Sequence, residues 1–85
     1  MSVFSKGARL GEPAARRYKI KILADDGRVF YWHKRGQLHL VDEDVATIFV
    51  ANFKPAVFQV KVDGTLAPPL PGETLPIRSV QMEPA

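Results

Sequence analysis

Apolar and polar residues alternate through "RYKIKIL", residues 17–23, so that Ile20 and Ile22 fall on one side and Lys19 and Lys21 on the other. This is the period of a half-buried strand. A second run, "RVFYWHK", follows after "ADDG", and the two read as a β-hairpin. The loop length follows from the faces, because a slip of one residue exchanges them. A two-residue Asp26-Gly27 loop would set Ile22 beside Tyr31 and Ile20 beside His33. A three-residue loop, Asp25-Asp26-Gly27, sets Ile22 opposite Phe30 and Ile20 opposite Trp32, and puts Gly27 at the left-handed position such a loop requires. The longer loop is therefore expected. It sends Phe30 and Trp32 to the core, with Trp32 packed on Ile20, Ile22, Phe49 and Phe58, and leaves Tyr31 outside among cations.

Beyond Gly36, "QLHLV" predicts a short strand with Leu38 and Leu40 on one side and His39 on the other. In "VDEDVATIFVANFKP", Val45, Ile48, Phe49 and Phe53 recur at helical spacing, Asp42 can cap, and Glu43 and Asp44 suit the positive end of a helix dipole. Lys54-Pro55 would stop the helix. The same stretch also has strand composition. "AVFQVKVDG" predicts a strand with Phe58, Val60 and Val62 inward. Residues 64–85 hold Pro68, Pro69, Pro71, Pro76 and Pro84, five of the chain's seven prolines. They read as an extended tail, with a short strand at 77–82.

The fold expected is α+β: a small antiparallel sheet, from a hairpin at 17–35 and strands near 37–41 and 57–62, packed on one short helix near 43–53. The alternative is an all-β SH3-like barrel in which 45–52 is a strand. The expected organisation is a flexible leader over 1–16, a folded domain over 17–63 and a Pro-rich tail over 64–85.

Composition narrows the function more than the fold. The chain has 85 residues, no cysteine and a net charge of +3. Disulfide staples and cysteine-based zinc sites are excluded, and a cytoplasmic setting is the default for a small domain without bridges. No apolar run approaches the roughly 18 residues of a membrane span. Serines and threonines are scattered, none in a G-x-S-x-G turn, and the glycines fit neither a phosphate loop nor a dinucleotide fingerprint. His33 and His39 are the only histidines, and no ligand spacing supports a metal site around them. No enzyme, no metal and no cofactor is expected, and nothing in the pattern sets an oligomeric state.

One surface stands out. Arg17, Lys19, Lys21, Tyr31, His33 and Arg35 would share the outer face of the hairpin, a basic face with one aromatic. It could meet phosphates or an acidic protein, or serve only to keep the sheet soluble. "PPLP", residues 68–71, also matches P-x-x-P, though a rigid linker is the plainer reading.

The pieces "YKIKILADDGRVFYW", "KRGQLHL", "DEDVATIF" and "VFQVKV" together resemble small accessory proteins encoded by bacteriophages and prophages. The resemblance covers a little over half of the chain. It implies a non-enzymatic protein that binds and modulates, or inhibits, a bacterial host protein complex in the host cytoplasm, and it identifies no site residue. A host protein is accordingly the expected partner, with nucleic acid on the basic face as the alternative.

Overall fold

The computed structural model describes residues 16–85. Along it run β1 (Arg17–Ala24), β2 (Val29–Tyr31), β3 (His33–Lys34), β4 (Gln37–Leu38), β5 (Val41–Asp42), α1 (Glu43–Asn52), β6 (Gln59–Lys61), β7 (Leu66–Ala67), β8 (Thr74–Leu75) and β9 (Ile77–Pro84). The chain is thus broadly α+β, with one helix and several antiparallel sheets among the described residues. The expected leader, apart from Arg16, lies outside those residues.

β1 organises the structure because its alternation is strict. Ile20, Ile22 and Ala24 are fully buried, and Lys19, Lys21 and Leu23, which alternate with them, lie on the opposite face. Burying each large aliphatic side chain is worth roughly 1.5–3 kcal/mol, so this one strand anchors much of the core. The hairpin adopts the expected register: Ile22 lies opposite Phe30, and the Trp32 N–H donates to Ile20 O at 2.9 Å. The Asp25-Asp26-Gly27 loop is closed by the Ala24 N–H donating to Arg28 O at 2.9 Å, with Gly27 at φ 93°. Further along the same edge of β1, β5 pairs with it at Tyr18–Val41.

The other edge of β1 carries the largest departure from expectation. β9 pairs antiparallel with nearly all of it, Val80 opposite Ile22 and Met82 opposite Ile20. The folded unit therefore does not end at residue 63, and 64–85 is not a loose tail. The register shifts between Ile77 and Ser79, which turns both Ile77 and Val80 inward at three-residue spacing. Strict alternation forbids that, so the apolar pattern alone understated this strand. The prolines sit mostly in the loop between β7 and β8, and β6 pairs with both. "PPLP" is exposed there, and the Leu70 N–H donates to the Thr74 hydroxyl at 3.0 Å. A closed loop replaces the expected linker.

Residues 45–52 are helical, which removes the strand the barrel alternative needed. Asp42 precedes the helix in extended conformation without a side-chain cap, its carboxylate turned instead toward Arg17. The helix is rotated from the face its spacing suggested. Ala46 is its buried residue and Phe49, Val50 and Phe53 pack on the core, whereas Val45 and Ile48 are 51% and 61% exposed. Three further expectations change. The third strand is only Gln37–Leu38; Leu38 and Leu40 are exposed, and His39 turns inward against Trp32. The strand expected over 57–62 is Gln59–Lys61, with Val60 buried but Phe58 and Val62 outside. Trp32 is only half-buried, at the margin of the core rather than inside it.

Candidate functional site

The six residues of the expected basic face do not stay together. β1 and β2 hold Lys19, Lys21 and Tyr31 on one sheet face, and Arg17 lies at the end of the same strand. The chain leaves that sheet at Trp32. His33 then enters the β3–β4 hairpin, where its backbone N–H donates to Gly64 O at 3.0 Å and its Nδ1 lies 2.7 Å from Tyr31 O. Arg35 occupies the turn of that hairpin at φ 53°, and its side chain lines a cleft with Trp32, Phe49 and Phe58. His33 and Arg35 are therefore absent from the face predicted for them.

Carboxylates also reach the face that remains. β9 sets Glu83 opposite Lys19; Glu83 Oε2 lies 3.7 Å from Lys21 Nζ, and Glu83 Oε1 accepts the Tyr31 hydroxyl at 3.0 Å. That hydrogen bond to a carboxylate, with partial desolvation, pushes the Tyr31 phenol above its ordinary pKa. Lys19 Nζ lies over the Tyr31 ring, 4.9 Å from its centroid, and Arg17 Nε is 3.7 Å from Asp42 Oδ1. Exposed pairs like these contribute little stability, but they cancel charge. The sheet face is mixed, not basic. Glu83 lies more than fifty residues from Lys21 in sequence, so no local pattern announced the pairing.

A different surface gathers the unspent chemistry. After α1, the Val57 N–H donates to Lys54 O at 3.0 Å, a turn that folds Val57 and Phe58 back beside the helix. Ile48, Phe49, Asn52, Phe53, Lys54, Val57 and Phe58 then line an open cleft of about 240 Å³. That is below the roughly 300–1,000 Å³ of a small-molecule pocket and is almost wholly apolar in character. Phe49 and Phe58 also form one wall of a second cleft, shared with Trp32, Lys34, Arg35, Thr65 and Leu66. The two clefts share Phe49 and Phe58 near the end of the helix, and together they are termed the trough.

The aromatic side chains of the trough brace one another. Phe49 stacks on Trp32 with centroids 4.8 Å apart, and Phe53 follows at 5.6 Å from Phe49. The His39 ring meets Trp32 edge-on at 4.6 Å, and burial there, with Lys34 nearby, holds its pKa below the ordinary 6.5. Lys34 Nζ lies 5.0 Å from the Trp32 centroid, a cation–π contact. Val57 is 50% exposed, Phe58 37% and Ile48 61%, so the trough is open to solvent. The sequence held one sign of it. Val45, Ala46, Ile48, Phe49, Val50 and Phe53 are more apolar positions than one helix face can bury.

Among the described residues no group of three metal-ligating side chains comes together, and no helix is long and apolar enough to cross a membrane. No family model, curated protein or solved structure matches the chain.

Proposed function

We propose that this protein is a non-enzymatic binding module that docks on another protein through the trough at the end of α1. One observation carries the reading. Ile48, Val57 and Phe58 are large apolar side chains left open to solvent and gathered along one cleft rather than scattered. Such clustering on a small domain marks an interaction surface. Single exposed apolar residues elsewhere, such as Val29, need no explanation.

The same geometry weakens the nucleic-acid reading. A stripe of phosphate-binding cations needs charges free of carboxylates, and Arg17 and Lys21 face Asp42 and Glu83 instead. Base stacking needs an open aromatic face, and Trp32 already carries Phe49 and Lys34. The likeness to phage accessory proteins supplies the class of partner: a protein of a bacterial host complex, met in the host cytoplasm and modulated or inhibited by occupation of one of its surfaces.

The test pairs a nuclease-treated pull-down from bacterial lysate with direct titration of single-stranded DNA and RNA at low and high salt. A stoichiometric protein retained by the parent and lost in Ile48→Glu supports the proposal. Tight, strongly salt-dependent binding to naked nucleic acid, with no protein retained, overturns it.

A further inference from the structure

We infer that the trough takes an acidic, amphipathic segment of its partner, with apolar side chains seated along Ile48, Phe49, Phe53 and Phe58 and carboxylates meeting Lys34, Arg35 and Lys54. This rests on the proposed docking role and specifies the chemistry of the occupant. Two clefts that share Phe49 and Phe58 in their linings offer a track of two neighbouring seats, which suits a linear segment. Anchors at helical spacing fit such a track.

Charge decides the rest. The lining of the two clefts includes Lys34, Arg35 and Lys54 and no carboxylate. Four other cations meet acids within 4.0 Å: Arg17 with Asp42, Lys21 with Glu83, Arg28 with Asp26 and Arg78 with Asp25. Among the described residues, Arg16, Lys19 and Lys61 also form no ion pair, but they line neither cleft. Among the described residues, none of the three trough cations forms an ion pair. An acidic segment would find its counter-charges already in place around an apolar floor, which favours both encounter and choice of partner. The chain's own residues 1–15 carry Lys6 and Arg9 against Glu12, the wrong balance for this rim. Among the described residues, a second copy offers only the dispersed carboxylates Glu43, Asp44, Asp63 and Glu73 outside the ion pairs, and self-association is one of the outcomes the test reads.

Two fluorescein-labelled peptides test the idea. Both carry Leu and Phe anchors at i, i+3 and i+7; one has Glu at the remaining positions and the other Lys. Each is titrated into the full chain, followed by anisotropy and by ¹⁵N amide shifts. The acidic peptide should bind at least about tenfold more tightly than the basic one, more weakly as salt rises, and should shift amides at 32–35, 48–58 and 65–66. Lys34→Glu/Arg35→Glu/Lys54→Glu should reverse the preference. Should that variant lose its dispersed spectrum, Lys34→Gln/Lys54→Gln should still narrow the gap between the peptides. Equal binding of the two peptides, shifts confined to residues 19–21 and 83, or self-association shifting the trough amides without peptide would each overturn the inference. So would an oligonucleotide that maps to the trough. A lysate protein lost in Ile48→Glu, together with charge-blind peptides, would reject the acidic segment but leave the docking role standing. Retention of that protein by Ile48→Glu would reject the docking role itself.

Discussion

Gly64 is the position where backbone geometry and packing make the sharpest demand. It is buried, its φ is 86°, and its carbonyl accepts the His33 N–H at 3.0 Å, tying the β6–β7 turn to β3. A Cβ placed there would lie inside contact distance of the Tyr31 carbonyl oxygen and 2.9 Å from His33 Nδ1. Gly27 has φ 93° but open space around it. Alanine at either site pays about 1–2 kcal/mol for a left-handed conformation, partly offset by about 0.4–1 kcal/mol from a less flexible unfolded chain. Only at Gly64 must backbone also move. That displaces the His33–Gly64 hydrogen bond, worth about 1 kcal/mol, and leaves a half-buried carbonyl and imidazole poorly paired at about 1–3 kcal/mol more. Gly64→Ala should therefore cost roughly 2–4 kcal/mol beyond Gly27→Ala. Urea unfolding followed by the fluorescence of Trp32, the only tryptophan, measures both variants. Equal midpoints for the two would refute the close junction between Gly64, Tyr31 and His33.

Ile22→Ala removes a fully buried side chain at the centre of the sheet and should cost about 2–5 kcal/mol in the same assay. Ile48→Ser, at an exposed position, should change stability by no more than about 0.5 kcal/mol, and a larger loss would mean the side chain is packed after all. His39 has a folded pKa below its ordinary 6.5, so between the two values the unfolded chain binds more protons. Its contribution is complete above about 6.5 and is lost as pH falls through the folded value; His39→Gln should flatten urea midpoints measured across that window. Glu83→Gln should lower the Tyr31 phenol pKa read from its ring ¹³C shift, since the carboxylate that holds the proton on is gone.

The parts of the fold legible in the sequence are those fixed by local rules. The alternation around Ile20 and Ile22, the Gly27 loop and the Lys54-Pro55 stop each act within a few residues, and each places its element correctly. What escaped depended on distant partners. The strand at 77–82 is legible, but its pairing with β1 is not, because its bulge at Ile77–Ser79 breaks the period-two pattern and prolines upstream suggest an unpacked tail. Without that pairing nothing brings Glu83 to Lys21, so a mixed face looks basic. The trough was hidden for a related reason. Helical spacing identified α1 but not its rotation, and burial of the small Ala46 left Val45 and Ile48 of the presumed core stripe in solvent while Phe49 and Phe53 still pack on the core.

The trough and the sheet face are the two surfaces to be told apart. The most direct measurement compares two variants in one nuclease-treated capture assay: Ile48→Glu/Phe58→Ser, which alters the trough, and Lys19→Glu/Lys21→Glu, which alters the sheet face. Both should keep the dispersed amide spectrum of the parent, because all four side chains lie outside the fully buried core. The first variant should lose the protein partner and the second should retain it. Loss of the partner in the sheet variant, with the trough variant still binding, would contradict docking through the trough.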